Sequence, residues 1–182
     1  LKKKHQIAYV SEFSENNDNH SSVSDEQLFS RQTDQYIANY HKNNPDLKII
    51  IILRSNKYSE KKYFRSIFGS QISFSKPSEY LDSYRTIIES DLVIGFCSTL
   101  LIEALALSTK TLSIDSSNSD KYFYFDDELR YKFRNPKDLS NKINSLLDMS
   151  YDDYKSSIKK YLPLLMNIDK KSLPHNEISK FI

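Results

Sequence analysis

The sequence has 182 residues, the usual length of one domain with its own hydrophobic core. Hydrophobic residues make up 38% and charged residues 27%, which excludes a disordered chain, and no apolar run reaches the roughly 20 residues of a membrane span. The 26 Lys and Arg against 24 Asp and Glu give a net charge of +2 with both signs interspersed, a balance that does not favour nucleic acid as a partner.

The first predicted elements are a strand, a helix and a second strand. Ile7–Val10 is a short apolar strand, followed by a polar loop. Ser24 to Gln27 form a capping box at the start of a helix. Its apolar positions recur at helical spacing: Leu28, Phe29, Tyr36, Ile37 and Tyr40. Asn43-Asn44-Pro45 ends this helix, and Leu47–Leu53 contains a run of isoleucines typical of a strand buried on both faces.

The middle of the chain repeats this alternation. A second helix ends at Gly69, and Gln71–Phe74 is a short third strand. A third helix has Pro77 in its first turn. Its predicted apolar stripe consists of Tyr80, Leu81, Tyr84, Ile87 and Ile88.

The last elements follow the same order. Asp91–Gly95 and Thr111–Asp115 are predicted strands on either side of an apolar helix, Ser98–Leu107. Asn135-Pro136 caps a further helix, and Ser150 opens a helical tail from about residue 150. We expect residues 1–182 to form a single domain.

Strands that alternate with helices predict an α/β fold, a three-layer Rossmann-like parallel sheet of about five to six strands. If the strand order is 3-2-1-4-5, ligands bind at the carboxyl ends of the strands, between the first and fourth. The turns at those ends contain the candidate crevice residues Ser11, Glu12, Arg54, Ser75, Cys97, Asp115 and Ser116.

The most informative segment runs from Asp91 to Asp115. Ser98-Thr99 opens the helix after the fourth strand, where hydroxyls and free amides favour an anion. Glu103 follows one turn later and could accept hydrogen bonds from ribose or sugar hydroxyls. An ordinary helix cap and an exposed helix glutamate remain the alternatives for these positions.

Other residue types narrow the chemistry. Cys97 is the one cysteine, which excludes an internal disulfide and a cysteine-based zinc site, and its simplest interpretation is a small buried hydrophobe. Two glycines exclude a glycine-rich phosphate loop, and four scattered histidines predict no metal site. Arg54 is either a phosphate ligand or half of a surface ion pair. We interpret Tyr122–Phe125 as a packed return segment, with base stacking as the alternative.

The segment Ser98-Thr99-Leu100-Leu101-Ile102-Glu103-Ala104, with DLVIG before it, resembles a known family pattern. It is similar to the S-T-x-x-x-E-A motif in the donor-binding half of GT-B bacterial glycosyltransferases of surface-carbohydrate biosynthesis, among them sialyl- and Kdo-transferases. The resemblance covers about residues 47–150. It implies that Ser98, Thr99, Cys97 and Arg54 surround the donor phosphate and that Glu103 holds ribose or sugar hydroxyls. Arg54-Ser55 replaces the His-Pro pair of several relatives, and the resemblance places Lys110 in an exposed turn.

The resemblance also implies a function. The substrates would be a nucleotide-sugar and a glycan or lipid-linked acceptor, with no metal or other cofactor, in the cytoplasm or peripherally at the inner membrane face. The acceptor-binding half is missing and the sequence starts with Leu1, so we expect an N-terminal domain or partner chain and leave the catalytic residues unknown. The alternatives are a sugar-nucleotide 2-epimerase-like domain and a non-catalytic flavodoxin-like interaction module.

Overall fold

Strands and helices alternate along the chain in a computed structural model, which describes residues 5–14, 25–55, 57–75, 81–117 and 129–161. The strands are β1 Gln6–Val10, β2 Lys48–Ile52, β3 Ser73–Phe74, β4 Leu92–Gly95, β5 Thr111–Asp115 and β6 Arg130–Lys132. The helices are α1 Asp25–Asn43, α2 Tyr58–Phe68, α3 Asp82–Ile88, α4 Thr99–Ala106, α5 Pro136–Asp148 and α6 Tyr151–Ser157.

The six strands form one parallel sheet in the order β3-β2-β1-β4-β5-β6. This confirms the predicted α/β class, and the first five strands have the order 3-2-1-4-5 on which the position of the ligand site was conditional. β6 extends the sheet beyond β5, with Arg130 opposite Ser113 and Lys132 opposite Asp115. Because the order reverses between β1 and β4, their carboxyl ends flank the opening where ligands bind in such sheets.

The central strand β1 is covered on both faces. Ile7 and Tyr9 point into a core that includes residues of α1, α2 and α5, whereas Ala8 and Val10 belong to a smaller core with Ile87 of α3 and other residues of α3 and α4. Successive side chains of a strand alternate between the two faces, so a continuous apolar run fits a three-layer fold.

Three helix ends follow their sequence signals. Gly69 follows α2 with a φ of 96°, a conformation that glycine adopts without steric cost. Asn135 Oδ1 accepts a hydrogen bond from the Asp138 amide at the start of α5, and the Ser150 hydroxyl caps α6 in the same way. The predicted caps of the last two helices are therefore confirmed.

The predicted apolar stripe of α3 is wrong in part. Ile87 is fully buried, but Leu81 is 54% and Ile88 is 61% exposed. The helix begins only at Asp82, and Leu81 precedes it in a left-handed conformation with a φ of 77°. A helix of seven residues turns few side chains toward the sheet, and Ile88 lies about 100° around the helix from Ile87.

Lys110 is buried, with 8% of its surface exposed. The expectation that it lies in an exposed turn is therefore wrong. Its Nζ donates hydrogen bonds to the carbonyl oxygens of Leu146, Leu147 and Met149 at the end of α5. The ammonium group therefore neutralises the negative end of that helix and satisfies carbonyls that have no partner within it.

Several predictions concern parts of the chain outside the described residues. These are Ser24 of the capping box, Pro77, the aromatic run Tyr122–Phe125 and the tail beyond residue 161. Among the helices that the structure describes, none combines the length and the apolar composition needed to cross a membrane.

Candidate functional site

A cleft of about 540 Å³ opens at the carboxyl ends of β1, β2 and β4, at the point where the strand order reverses. Its lining comes from the turns after these strands and from one side of α3 and α4. The lining residues are Val10, Ser11, Glu12, Ile52, Leu53, Arg54, Ser83, Tyr84, Cys97, Ser98, Thr99, Leu100 and Glu103.

Most of the predicted site residues meet in this cleft. Its wall contains Ser11, Glu12, Arg54, Cys97, Ser98, Thr99 and Glu103. Three predicted crevice residues, Ser75, Asp115 and Ser116, do not line it. Ser75 follows β3, which lies beyond β2 from the reversal point, whereas Asp115 ends β5, which lies beyond β4, and Ser116 comes directly after it.

The three excluded residues have structural partners instead. The Ser75 amide donates to the Ile51 carbonyl and continues the pairing of β3. Asp115 is fully buried, and its Oδ1 accepts hydrogen bonds from the Ser117 amide and hydroxyl. The Ser116 hydroxyl donates to a carbonyl of α1. These three residues therefore lie outside this cleft.

The start of α4 is held close to the sheet. A Cβ added to Gly95 would lie 3.3 Å from Val10 Cβ and 3.4 Å from Leu101 Cδ2, so this glycine lets the first turn of the helix approach β1. Ser98 occupies the cap position with extended backbone, but its side chain makes no capping hydrogen bond, which corrects the cap interpretation. The Leu101 amide donates to the Ser98 carbonyl, and the amides of Thr99 and Leu100 have no acceptor within the helix.

Glu103 lies one turn into α4 and is half-buried rather than exposed. The Tyr84 hydroxyl of α3 donates to its Oε2 at 2.5 Å. Because this bond fixes the carboxylate at the wall of the cleft, Glu103 presents an oriented acceptor. Sequence reasoning assigned Tyr84 to a packing stripe, and no local signal predicts its pairing with a residue on the next helix.

Arg54 and Glu12 face each other across the turns after β2 and β1. Their charged atoms are 3.5 Å apart, and the Arg54 side chain is 57% exposed against 17% for Glu12. Such a pair contributes little to stability because water screens it. The structure thus contains the surface ion pair that was one of the two interpretations of Arg54, and the guanidinium is still accessible from the cleft.

Glu60 of α2 holds these turns in place, although it is not part of the cleft wall. It is completely buried and accepts hydrogen bonds from the Ser11 hydroxyl at 2.6 Å and from the Arg54 amide at 2.9 Å. Its second oxygen accepts from the amide and the hydroxyl of Ser55, both at 2.9 Å. Sequence reasoning missed Glu60, although its place in the first turn of α2 is one where acids commonly bind free amides.

A separate buried carboxyl lies on the side of the sheet that α1 and α2 cover. Asp34 of α1 accepts hydrogen bonds from Tyr9 at 2.6 Å and from Tyr63 at 2.9 Å. Burial raises the pKa of Asp34 to about 6, and the two tyrosine hydrogen bonds oppose that rise.

Within the described ranges, no group of three His, Cys, Asp or Glu side chains is arranged to hold a metal ion.

No protein-family model matches the sequence, and no curated protein is similar to it. Solved structures are similar in fold. One is UDP-GlcNAc 2-epimerase from Neisseria meningitidis bound to UDP-GlcNAc, with a TM-score of 0.52 at 14% identity over 86% of this chain and 39% of that chain. Another is a mutant O-GlcNAc transferase from Thermobaculum terrenum, with a TM-score of 0.57 at 11% identity over 97% of this chain and 35% of that chain.

A third similar structure is Anabaena HepE in complex with UDP-glucose, with a TM-score of 0.50 at 11% identity over 88% of this chain and 49% of that chain. The chain thus spans less than half the length of each of these proteins. Its fold is the Rossmann-like domain of the GT-B architecture, as the sequence predicted.

Proposed function

We propose that the cleft binds a nucleotide-activated sugar and that the chain is the donor-binding domain of a glycosyltransferase. The observation that carries the proposal is the meeting of three groups at the reversal point of the sheet. These groups are the amides at the start of α4 that have no acceptor among the described residues, the accessible guanidinium of Arg54 and the oriented carboxylate of Glu103. The UDP-sugars named for two of the similar structures support this choice of ligand class.

The donor phosphates would lie at the start of α4. The amides of Thr99 and Leu100, which have no acceptor within α4, and the Ser98 hydroxyl are donors for an anion, and the positive end of the helix dipole favours negative charge there. Arg54 would exchange Glu12 for the phosphate, which accepts two parallel hydrogen bonds from a guanidinium. As the glycosidic bond breaks, charge grows on the leaving nucleotide, and these fixed donors would stabilise it.

The ribose or sugar hydroxyls would bind to Glu103. Tyr84 occupies one side of its Oε2, so the remaining lone pairs of the carboxylate are available as acceptors at the cleft wall. The volume of about 540 Å³ falls within the 300–1,000 Å³ typical of small-molecule sites.

The remaining parts of the reaction lie beyond this cleft. The acceptor, a glycan or lipid-linked saccharide of the cell surface, and the catalytic base would come together with an N-terminal domain or partner chain. The reaction would then take place in the cytoplasm or peripherally at the inner membrane face, without a metal cofactor.

A sugar-nucleotide 2-epimerase is the second candidate, because two such epimerases are among the similar structures, at 14% and 15% identity. Both candidates require nucleotide binding, whereas the non-catalytic interaction module does not. An assay of the protein with its full coding sequence separates the first two: an epimerase exchanges the C2 proton of UDP-GlcNAc with D₂O, and a transferase releases UDP only with acceptor.

Nucleotide binding should protect Cys97 from alkylation. Cys97 is half-buried in the cleft wall and is the single thiol of the chain, so its reaction with N-ethylmaleimide reports on this site alone. With UDP-GlcNAc at about ten times its Kd, alkylation should slow about tenfold, because only the unbound fraction reacts. The rate is measured by mass spectrometry with free N-acetylglucosamine as the control. An unchanged rate at millimolar UDP, UDP-GlcNAc and CMP would contradict the proposal.

Glu103→Gln should weaken nucleotide-sugar binding by about 1.5–3 kcal/mol, the scale of hydrogen bonds to a charged group, with unfolding free energy nearly unchanged. Tyr84→Phe should weaken nucleotide-sugar binding by about 0.5–1.5 kcal/mol, since the carboxylate stays but loses its orientation.

Ser98→Ala should lower the affinity for nucleotide-sugar without loss of stability, because the hydroxyl caps no amide. Calorimetric titration and urea denaturation measure both quantities. Wild-type affinity of Glu103→Gln would remove Glu103 from the site.

A further inference from the structure

A carboxylate stands next to the cation that we assign to the donor phosphate. Glu12 lies in the turn after β1 and Arg54 in the turn after β2, and both line the cleft. Because β1 and β2 are parallel neighbours, with Val10 opposite Ile52, the two turns leave the sheet at the same edge. The pairing of these strands therefore places a negative group where an anion is expected to bind.

The ion pair between Glu12 and Arg54 is loose. Nη1 of Arg54 is 3.5 Å from Oε2 of Glu12, whereas well-formed charge-assisted hydrogen bonds are about 2.7–2.9 Å long. Arg54 is the more exposed partner, so its guanidinium can turn to a ligand while the carboxylate stays in the wall. A phosphate that accepts a hydrogen bond from Arg54 would lie about 6 Å from Glu12, one ion-pair distance plus one hydrogen bond.

A cross-link between the two turns is the simpler explanation of Glu12, but it accounts for little. Glu60 already holds both turns through the Ser11 hydroxyl and the Arg54 amide, and an ion pair this exposed adds little stability. The charge of Glu12 also acts on a second carboxyl. Burial is the main cause of the raised pKa of Asp34, and Glu12 adds to that rise. The fold therefore gains little from a carboxylate at this position.

We propose that Glu12 sets the preference of the cleft for a nucleotide-sugar over the free nucleoside diphosphate, an inference that rests on the proposed function. Each phosphate of the nucleotide-sugar is a diester with one negative charge, whereas the terminal phosphate of the free nucleotide has a charge of about −1.5 to −2 at pH 7. At about 6 Å in water, repulsion between two unit charges lowers affinity about threefold. Glu12 therefore disfavours the free nucleotide more than the nucleotide-sugar.

The same repulsion would promote release of the product. Transfer breaks the bond between the sugar and the terminal phosphate oxygen, which keeps the electron pair and gains the extra charge. The acceptor oxygen bonds to the sugar and gives its proton to the catalytic base. The added charge then favours the return of Arg54 to Glu12. Glu12 thus reduces the stabilisation of the leaving nucleotide somewhat and shortens the time that the product occupies the cleft, a step that limits turnover in many enzymes.

Glu12→Gln and Glu89→Gln form a matched pair of variants for the test. Both substitutions remove one negative charge and keep the size of the side chain, but Glu89 is exposed after α3 and does not line the cleft. Calorimetric titration with UDP-GlcNAc and with UDP gives the ratio of their Kd values. We expect Glu12→Gln to bind UDP-GlcNAc about threefold and UDP about tenfold more tightly than wild type, which changes the ratio about threefold. Glu89→Gln should keep both affinities.

Two further measurements separate repulsion from a structural role of Glu12. The gain in affinity should shrink as salt is added, and the urea midpoint of Glu12→Gln should equal that of wild type. An equal gain for the two ligands would show that Glu12 only occupies Arg54, and weaker binding of both would show that it positions the guanidinium. Either result overturns the proposal and leaves the nucleotide site in place. If neither ligand binds to wild type or to Glu12→Gln, the proposed function itself is contradicted, and this inference with it.

Discussion

Replacing Glu60 with alanine should lower the free energy of unfolding by about 3–5 kcal/mol, since the removal of one partner leaves buried groups without compensation. Glu60 is 0% exposed and is the acceptor for Ser11, the Arg54 amide and both donors of Ser55. Hydrogen bonds to a charged acceptor are worth about 1.5–3 kcal/mol each, and water can replace part of those at the more exposed Arg54 and Ser55. Urea denaturation measures the loss.

Glu60→Gln should lose about 2–3 kcal/mol, because its amide nitrogen faces two donors and only one side of the group can still accept. Glu89→Ala, at an exposed position after α3, is the matched control and should stay within about 0.5 kcal/mol of wild type. Both Glu60 variants should also weaken nucleotide binding, since the turns with Ser11 and Arg54 lose their common anchor. Wild-type stability of Glu60→Ala would show that the turns after β1 and β2 keep their conformation without hydrogen bonds to Glu60.

Lys110→Met should lower the free energy of unfolding by about 2–4 kcal/mol, although methionine keeps most of the buried stem. The loss comes from three carbonyl oxygens at the end of α5, which would stay buried without the ammonium group that satisfies them. The same group also opposes the negative end of the helix dipole. Thermal and urea unfolding measure the change.

Lys42→Met is the control for Lys110→Met, because Lys42 is also basic and in the last turn of a helix, α1, but is exposed. Its loss should be within about 0.5 kcal/mol. Equal losses in the two variants would show that the charge near a helix end matters and that the buried hydrogen bonds do not.

The sequence predicts those parts of the fold whose signal is local. The isoleucines of β2 and the apolar run of β4 identify buried strands without knowledge of their neighbours. The strand β6, with the sequence Arg-Tyr-Lys, is three residues long and has no apolar run, so no local signal identifies it. Lys110 is equally unpredictable, since its burial depends on carbonyls 36 to 39 residues further along the chain.

In the candidate site, too, residues with a local sequence signal are predictable and residues that act through distant partners are not. The start of α4 and Glu103 lie within one short motif, so their presence in the cleft is predictable. The rule that ligands bind at the carboxyl ends of strands also nominates Ser75 and Asp115, but the cleft opens only at the ends of β1, β2 and β4, so these two residues lie outside it. Tyr84 and Glu60 act through partners on other elements, and spacing along the chain does not reveal such pairs.

The central position of β1 also governs the order in which the chain can fold. β1 pairs on one side with β2 and on the other with β4, and Gln6 bonds Asp91 across 85 residues. Closing a loop of that length costs conformational entropy before any contact compensates for it, and parallel sheets rich in distant contacts fold slowly for this reason. During synthesis β1 and β2 emerge long before β4, so one edge of β1 stays open to other chains until Leu92–Gly95 is made. We therefore expect the docking of β4 against β1 to set the folding rate.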